Sequence, residues 1–349
     1  MLIAQYCRHD LHFNFVAITS RQSMTVKETY FIKVFDRNCP DVYGVGECAV
    51  FRGLGADDTP DYEERLKALC RNINSINVDD VKESSLRFGI ETALRDLATG
   101  GRFRIFDSDS WLQGHMSIPI NGLVWMGDFD TMRSRLDQKV NDGFKCIKIK
   151  VGGIDFEREL DLIRYVRDCY ASDRLMIRLD ANGSMTPRDA LGRLERLARY
   201  DIHSLEQPIR AGQWKQMREI TRNSPIPIAL DEELIGTMNY DQRCYLLDAT
   251  MPRYIILKPS LHGSFSTCDG WIKDAGDREI MWWATSALES NIGLNAIAQW
   301  TVSKNVDMPQ GLGTGGLYTN NIPSPLVVRD AALAYDNSRA WNIEQLRFS

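Results

Sequence analysis

The sequence predicts an α/β protein: a (β/α) barrel of the modified TIM type, preceded by an N-terminal α+β capping domain. Three observations predict it. From Ser117 onward, short apolar segments alternate with helical ones, the order that builds parallel sheets with helical crossovers. Polar residues at the C-terminal ends of these segments recur every 25 to 30 residues, at Lys150, Asp180, Glu206, Asp231, Lys258 and Ser286, about the length of one βα unit. No G-x-G-x-x-G follows any of the first seven of these segments, so an open doubly wound sheet fits less well.

The first stretch is rich in β-branched and aromatic residues. Strands are expected at Phe13–Ile18, Glu28–Phe35 and Tyr43–Val50, with the polar connection Ser20–Thr25 between the first two. The apolar spacing then turns helical over Asp61–Ile76 and Ser84–Ala98, where Leu86, Ile90, Leu94 and Leu97 share one face. Gly100–Gly101 stops the second helix. Barrel strands are expected at Ser117–Gly122, Cys146–Val151, Leu175–Asp180, Ser204–Gln207, Ile226–Asp231, Tyr254–Lys258, Glu279–Thr285 and, more weakly, Met308–Leu312. Helices are expected at Phe156–Cys169 and Pro187–Tyr200, the latter with Thr186 as N-cap and Pro187 at the first helical position. Residues 1–115 then form the capping domain, 116–320 the barrel, and 321–349 a segment that packs back on the cap through Tyr335 and Trp341.

Composition narrows the function. A chain of 349 residues with 44% hydrophobic and 26% charged residues has the balance of a soluble globular protein. A net charge of −5 leaves no basic footprint for nucleic acid or an anionic membrane. No apolar run approaches a membrane span, and the opening residues do not read as a signal peptide. Eight scattered cysteines without a C-x-x-C pair suit reduced thiols, and a cytoplasmic location is expected. The partner is then a small molecule, and the oligomeric state is left open.

Asp180, Glu206 and Asp231 end three successive strands and would converge on the barrel axis, while Ile177 and Leu179 face the helices. Three carboxylates in a partly desolvated mouth repel unless a cation shares them. An all-oxygen set of this kind suits one Mg²⁺, with Mn²⁺ as a substitute. Taken singly, each acid could be a helix N-cap or a solvated charge. Lys148 and Lys150 share the inward face of their strand, with Ile147, Ile149 and Val151 on the other. Mutual repulsion and burial are expected to lower at least one lysine pKa toward a usable base. A salt bridge to the acids is the competing reading for Lys148. Lys258 stands across the barrel on the sixth strand.

This set suits removal of a proton α to a carboxylate. A divalent cation stabilises the enediolate, and a positioned lysine takes the proton. The motifs K-I-K at Lys148–Lys150, R-L-D-A-N at Arg178–Asn182, L-E-Q-P at Leu205–Pro208, A-L-D-E at Ala229–Glu232 and L-K-P at Leu257–Pro259 resemble those of the muconate-lactonising-enzyme branch of the enolase superfamily. The resemblance covers nearly the whole chain. It implies Mg²⁺ on Asp180, Glu206 and Asp231, and an acid/base pair of lysines. T-S-R at Thr19–Arg21, K-E-T-Y-F at Lys27–Phe31, G-E-C at Gly46–Cys48, R-G-L at Arg52–Leu54, A-L-E-S-N-I-G at Ala287–Gly293 and G-L-G-T-G-G-L-Y-T-N-N at Gly311–Asn321 are most similar to the o-succinylbenzoate synthase family. That family dehydrates a cyclohexadiene carboxylate during menaquinone synthesis. The likeness implies that Lys150 removes the α-proton, Lys258 stabilises the enediolate and Lys148 sits near the carboxylate. Ser20, Arg21, Ser286 and Thr314 are candidates for holding the succinyl chain.

Other readings stay open. N-acylamino-acid racemisation or dipeptide epimerisation would use the same catalytic residues, although no D-x-D follows the eighth strand as dipeptide epimerases of this branch usually show. A class I aldolase could use Lys258 as a Schiff base, and a barrel retained only for binding is the non-enzyme reading. The seventh strand end carries no histidine, which argues against a histidine base. His262 reads as a loop residue. Arg178 is expected to pair with the acids from one layer below, and of Trp282 and Trp283 one must face the helices and the other the barrel.

Overall fold

The computed structural model describes residues 1–19 and 22–349, so Ser20 and Arg21 lie outside the described residues. The chain opens with a three-stranded antiparallel sheet of β1 (Leu2–Ile18), β2 (Ser23–Asp36) and β3 (Cys39–Cys48). The first strand is much longer than expected, because pairing with β2 from Leu2 to His12 carries it through residues with no clear alternation. Helices α1 (Tyr62–Arg71) and α2 (Ser84–Ala98) cover this sheet, and α2 has the predicted bounds. The sheet and helix meet where side chains are absent. A Cβ on Gly46 would lie 1.9 Å from the Gly89 carbonyl oxygen, and one on Gly44 would lie 2.0 Å from that of Ala93.

A short helix α3 (Asp109–Leu112) leads to β4 (Ser117–Pro119). The expected first barrel strand divides here: β4 joins a small separate sheet, and the barrel begins with β5 (Gly122–Val124). There follow α4 (Phe129–Asn141), β6 (Cys146–Lys150), α5 (Phe156–Cys169), β7 (Met176–Asp180), α6 (Ala190–Leu197), β8 (Ile202–Glu206) and α7 (Trp214–Asn223). Next come β9 (Ile228–Leu230), α8 (Tyr240–Thr250), β10 (Tyr254–Leu257), α9 (Ser264–Gly276), β11 (Met281–Ala284) and α10 (Asn291–Val302). Strands β5 to β11 form one parallel sheet in chain order. The eighth position is held by two residues only: Gln310 bridges Ile120, and Gly311 bridges Thr285, both parallel. Those bridges bring the first and seventh strands into one closed wall.

Helix α6 starts later than expected. Thr186 instead closes a turn, its hydroxyl and amide both bonding the Asp189 carboxylate, so the Thr-Pro pair precedes the helix. Outward residues such as Ile149, Leu179 and Leu205 pack on the helices in one large core. Inward residues fill the barrel floor. Trp283 points in and Trp282 points out toward Trp300, 5.6 Å away between ring centroids. A register shift between Ile177 and Arg178 leaves His203 without a ladder partner, and its ring stacks 5.0 Å from that of Tyr254. Arg178 corrects an expectation. It forms no ion pair with the acids; its guanidinium lies 4.0 Å over the Trp283 ring and donates to the Pro309 carbonyl at 2.7 Å. One layer of barrel depth separates it from the carboxylates, and the aromatic face is nearer.

The tail returns to the start of the chain. Strand β12 (Leu326–Arg329) pairs with β13 (Ala332–Tyr335), which in turn pairs with β4. Trp341 stacks on Phe103 with centroids 4.2 Å apart, and Ser349 exchanges backbone hydrogen bonds with Tyr6. All eight cysteines are free thiols. Among the described residues no helix is long and apolar enough to cross a membrane.

Candidate active site

Strand register places the candidate residues. Lys150 is level with Asp180, and Asp180 with Glu206. Glu206 is level with Ala229, so Asp231 lies two residues further along its strand. Tyr254 is also level with Ala229, which puts Lys258 two residues further again. The five groups therefore do not share one row of the ladder. The step is the shear of a barrel with tilted strands, which returns them to a similar level at the rim. Strands β6 and β10 stand four places apart, so Lys150 and Lys258 face each other across the mouth.

All three acids are buried, with Asp180 and Asp231 fully so. The Lys148 ammonium reaches both Glu206 carboxylate oxygens at 2.7 Å and Asp180 Oδ2 at 2.8 Å. Lys150 donates to Asp180 Oδ2 at 2.6 Å and to Asn182 Oδ1 at 2.7 Å. Lys258 pairs with Asp231 Oδ2. The salt bridge weighed for Lys148 is thus present. Burial alone would push its pKa down, but the surrounding Asp180, Glu206 and Asp231 outweigh burial and hold it above the ordinary lysine value. Lys258 is raised in the same way by Asp231 and Glu206. Lys148 is therefore not a lysine of lowered pKa, because acids, not the second lysine, are its nearest charged neighbours.

The acids divide by neighbour. Burial would raise Asp180, but Lys148 and Lys150 hold it well below the carboxylate range. Asp231 is lowered against burial by Lys258 and Lys148. Glu206 is pushed up to about 8 by burial and by the adjacent Asp180 and Asp231 charges, against the pull of Lys148 and Lys258. Asp231 Oδ1 is buried with no hydrogen-bond partner among the described residues. An orphaned carboxylate oxygen and a carboxylate short of positive charge, in an all-oxygen donor set, fit a hard divalent cation. Among the described residues no three acidic, histidine or cysteine side chains are drawn together as a ligating group; the Lys148 ammonium lies between Asp180 and Glu206.

Supporting residues lie beneath. Gln207 has a left-handed φ of 40°, which turns its amide oxygen toward the Asp231 and Glu233 amides, at 3.2 and 3.3 Å. Asn182 joins Lys150 to Glu232. His262 is the residue the sequence reading missed. It is fully buried, and Nδ1 accepts the Lys258 amide proton at 3.1 Å, closing the turn that carries the lysine. Burial pushes its pKa down to about 3, so the ring is neutral. Its four-residue spacing from Lys258 was the available signal.

A cavity of about 550 Å³ opens over Lys148, Lys150 and Lys258. Phe15, Phe51, Leu54 and Trp125 line its apolar side. Ser286 and Thr314 also line it. They differ in what they offer. The Ser286 hydroxyl donates to Glu289 Oε2 at 2.5 Å and accepts the Leu288 amide at 3.0 Å. The Thr314 hydroxyl is buried with no partner among the described residues.

Comparisons with known proteins agree with this architecture. The family model described as "Enolase C-terminal domain-like" matches residues 131–336, which makes the class an enolase-superfamily barrel. An o-succinylbenzoate synthase from Desulfotalea psychrophila is 42% identical over 93% of this chain and 96% of its own length. Another from Vibrio cholerae is 29% identical over 91% of each. The crystal structure of MenC from Desulfotalea psychrophila superposes with a TM-score of 0.84 at 38% identity, covering 95% of this chain and 99% of that one. The chain belongs to the o-succinylbenzoate synthase family, a family of carbon–oxygen lyases within the superfamily. A dipeptide epimerase from Cytophaga hutchinsonii, crystallised with Mg and D-Ala-L-Val, shares the fold at 20% identity with a TM-score of 0.80, covering 100% of this chain and 99% of that one.

Proposed function

We propose that the chain dehydrates 2-succinyl-6-hydroxy-2,4-cyclohexadiene-1-carboxylate to 2-succinylbenzoate, a step of menaquinone biosynthesis, with one Mg²⁺ held by Asp180, Glu206 and Asp231. The observation that carries the reading is Lys150 and Lys258 facing one cavity from opposite strands beside three buried carboxylates, in a chain of this family. A bound Mg²⁺ would supply Lewis-acid stabilisation of the negative charge that develops on the substrate carboxylate. Lys150 takes the proton from the carbon that bears the carboxylate. The neighbouring C–O bond then breaks, the proton leaves with the hydroxyl as water, and the ring becomes aromatic. Lys258 as the ammonium stabilises the enediolate from the other face, and Lys148 sits by the carboxylate. Asn182 orients Lys150 through its amide oxygen.

Thr314 has a free hydroxyl proton for the succinyl carboxylate, whereas Ser286 presents a lone pair and serves as wall. The apolar side of the cavity takes the ring. Residues 1–115, 116–320 and 321–349 are read as cap, barrel and returning segment, in a cytoplasmic enzyme whose partner is this small carboxylate, without nucleic acid or membrane.

The test is a Mg²⁺-dependent dehydration assay. Lys150→Ala should lower turnover by about 10²–10⁴-fold, and chelation by EDTA should abolish activity that Mg²⁺ or Mn²⁺ restores. Full activity in Lys150→Ala would overturn the assignment. Racemisation of N-acylamino acids without dehydration would move the chain to the racemase reading.

A further inference from the structure

The turn between β11 and α10 is fastened from several directions. Leu288 has a φ of 67°, a left-handed conformation that is strained for an aliphatic residue. Its amide bonds Ser286 Oγ, and its carbonyl accepts the Tyr318 hydroxyl at 2.7 Å. Its side chain lines the cavity. The next residue, Glu289, is fully buried and lies behind the cavity wall. One carboxylate oxygen takes the Ser286 hydroxyl and the other takes the Ser260 hydroxyl. Ser260 belongs to the turn that begins at Lys258, in which Leu261 and His262 both return amide bonds to the Lys258 carbonyl.

The far side of the same turn is held by the capping sheet. Glu47, also fully buried, accepts the Ser290 amide at 2.9 Å, the Ser290 hydroxyl at 2.6 Å, the Gly293 amide at 3.0 Å and the Thr29 hydroxyl at 2.9 Å. The buried Lys27 ammonium, bonded to the Val50 carbonyl, supplies the positive field for both carboxylates. Burying a carboxylate costs several kcal/mol even when it is paired. Here one is placed so that its two oxygens join turns from different strands, neither of which it needs for its own helix.

We propose that Glu289 is a positioning residue for the reaction: by clamping Ser260 and Ser286 it sets the spacing between the Lys258 ammonium and the Leu288 wall of the cavity. The inference rests on the dehydration reading for its kinetic arm. The clamp acts at a distance: Glu289 touches no substrate, but loss of either hydroxyl contact lets the Lys258 turn drift from the ring. A displacement of up to about 1 Å lowers turnover by about 10–100-fold. It also commits the Ser286 proton away from the cavity, so freeing it adds a donor beside Leu288 and changes KM.

The experiment compares wild type, Glu289→Gln, Glu289→Ala, Ser260→Ala and the Glu289→Gln/Ser260→Ala double variant. In each, kcat and KM are measured beside the thermal midpoint and the acylation rate of Lys258 read by mass spectrometry. Glu289→Gln should fold, lose about tenfold in kcat and shift the Lys258 labelling rate several-fold with Lys150 unchanged. Ser260→Ala should lower kcat in the same direction, and the pair should be non-additive. A lowered midpoint with kcat, KM and Lys258 labelling of the folded enzyme unchanged in Glu289→Gln and Ser260→Ala would overturn the proposal, even if Glu289→Ala does not fold. Absence of dehydration in wild type sinks the functional reading instead, and the labelling arm, which needs no turnover, still decides the clamp.

Discussion

Asp96 shows how one buried group sets a stability profile. Its carboxylate accepts the Val45 amide at 3.0 Å beneath the capping sheet, and burial pushes its pKa up to about 6. A carboxyl group with a raised folded-state pKa contributes stability that is complete below the unfolded value and is lost as pH rises through the folded one. Between pH 4 and pH 6, wild type should therefore lose up to about 3 kcal/mol from this group. Asp96→Asn keeps an acceptor for Val45 and removes the proton equilibrium. Urea unfolding at pH 4, 5, 6 and 7 should show a shallower decline in the variant, and parallel curves would refute the assignment. The acids of the candidate site follow another rule, because their neighbours are lysines. Asp180 and Asp231 are held low by ammonium groups, while Glu206, beside two other acids, is not.

Among elements, α2 and β3 meet backbone to backbone in the cap. Gly44 and Gly46 on the strand and Gly89 on the helix let the backbones approach to a distance no side chain would allow. That approach carries Glu47 and Cys48 inward toward the barrel, so the geometry of the Glu47 contact with Ser290 depends on it. Gly46→Ala should destabilise by about 1–3 kcal/mol or more, since the Cβ meets a carbonyl and not a flexible side chain. Chemical denaturation measures it; a variant as stable as wild type would show that the strand can move away. Activity should fall with stability, because the same displacement loosens the turn after β11.

The whole molecule is tied together by its last residues. Trp341, Ile343, Leu346 and Phe348 pack with Cys7, Phe31 and Phe103 in one cluster, and Ser349 bonds Tyr6. The same cluster takes in Ile292 at the start of α10, so the cap is held to the barrel. Removing residues 341–349 uncovers Phe103 and Leu346's partners, and the melting midpoint should fall by about 5 °C or more. An unchanged midpoint would mean that the cluster contributes nothing to folding. The loop that lines the cavity through Phe51 and Leu54 should keep its position, because Asp57 anchors it to the start of α2 through Ser85, at 2.8 and 2.6 Å.

The sequence by itself determined the βα order, the inward face of each barrel strand and the chemistry-bearing residues at the strand ends. Those follow from periodicity: a strand with Ile147 and Ile149 on one side must aim Lys148 and Lys150 the other way. Helices α2 and α5 were legible to the residue for the same reason. Tertiary structure decided the rest. The length of β1 depends on its partner strand, and the split between β4 and β5 depends on β13, which lies some two hundred residues on. The charge state of Lys148 depends on Asp180 and Glu206, residues that only the closed barrel brings within hydrogen-bond reach. Glu289 was legible at the seventh strand end and His262 four residues after Lys258, but not what either side chain holds. Their roles come from buried hydrogen bonds to turns that are adjacent in space, and no periodicity in one chain records which turns those are.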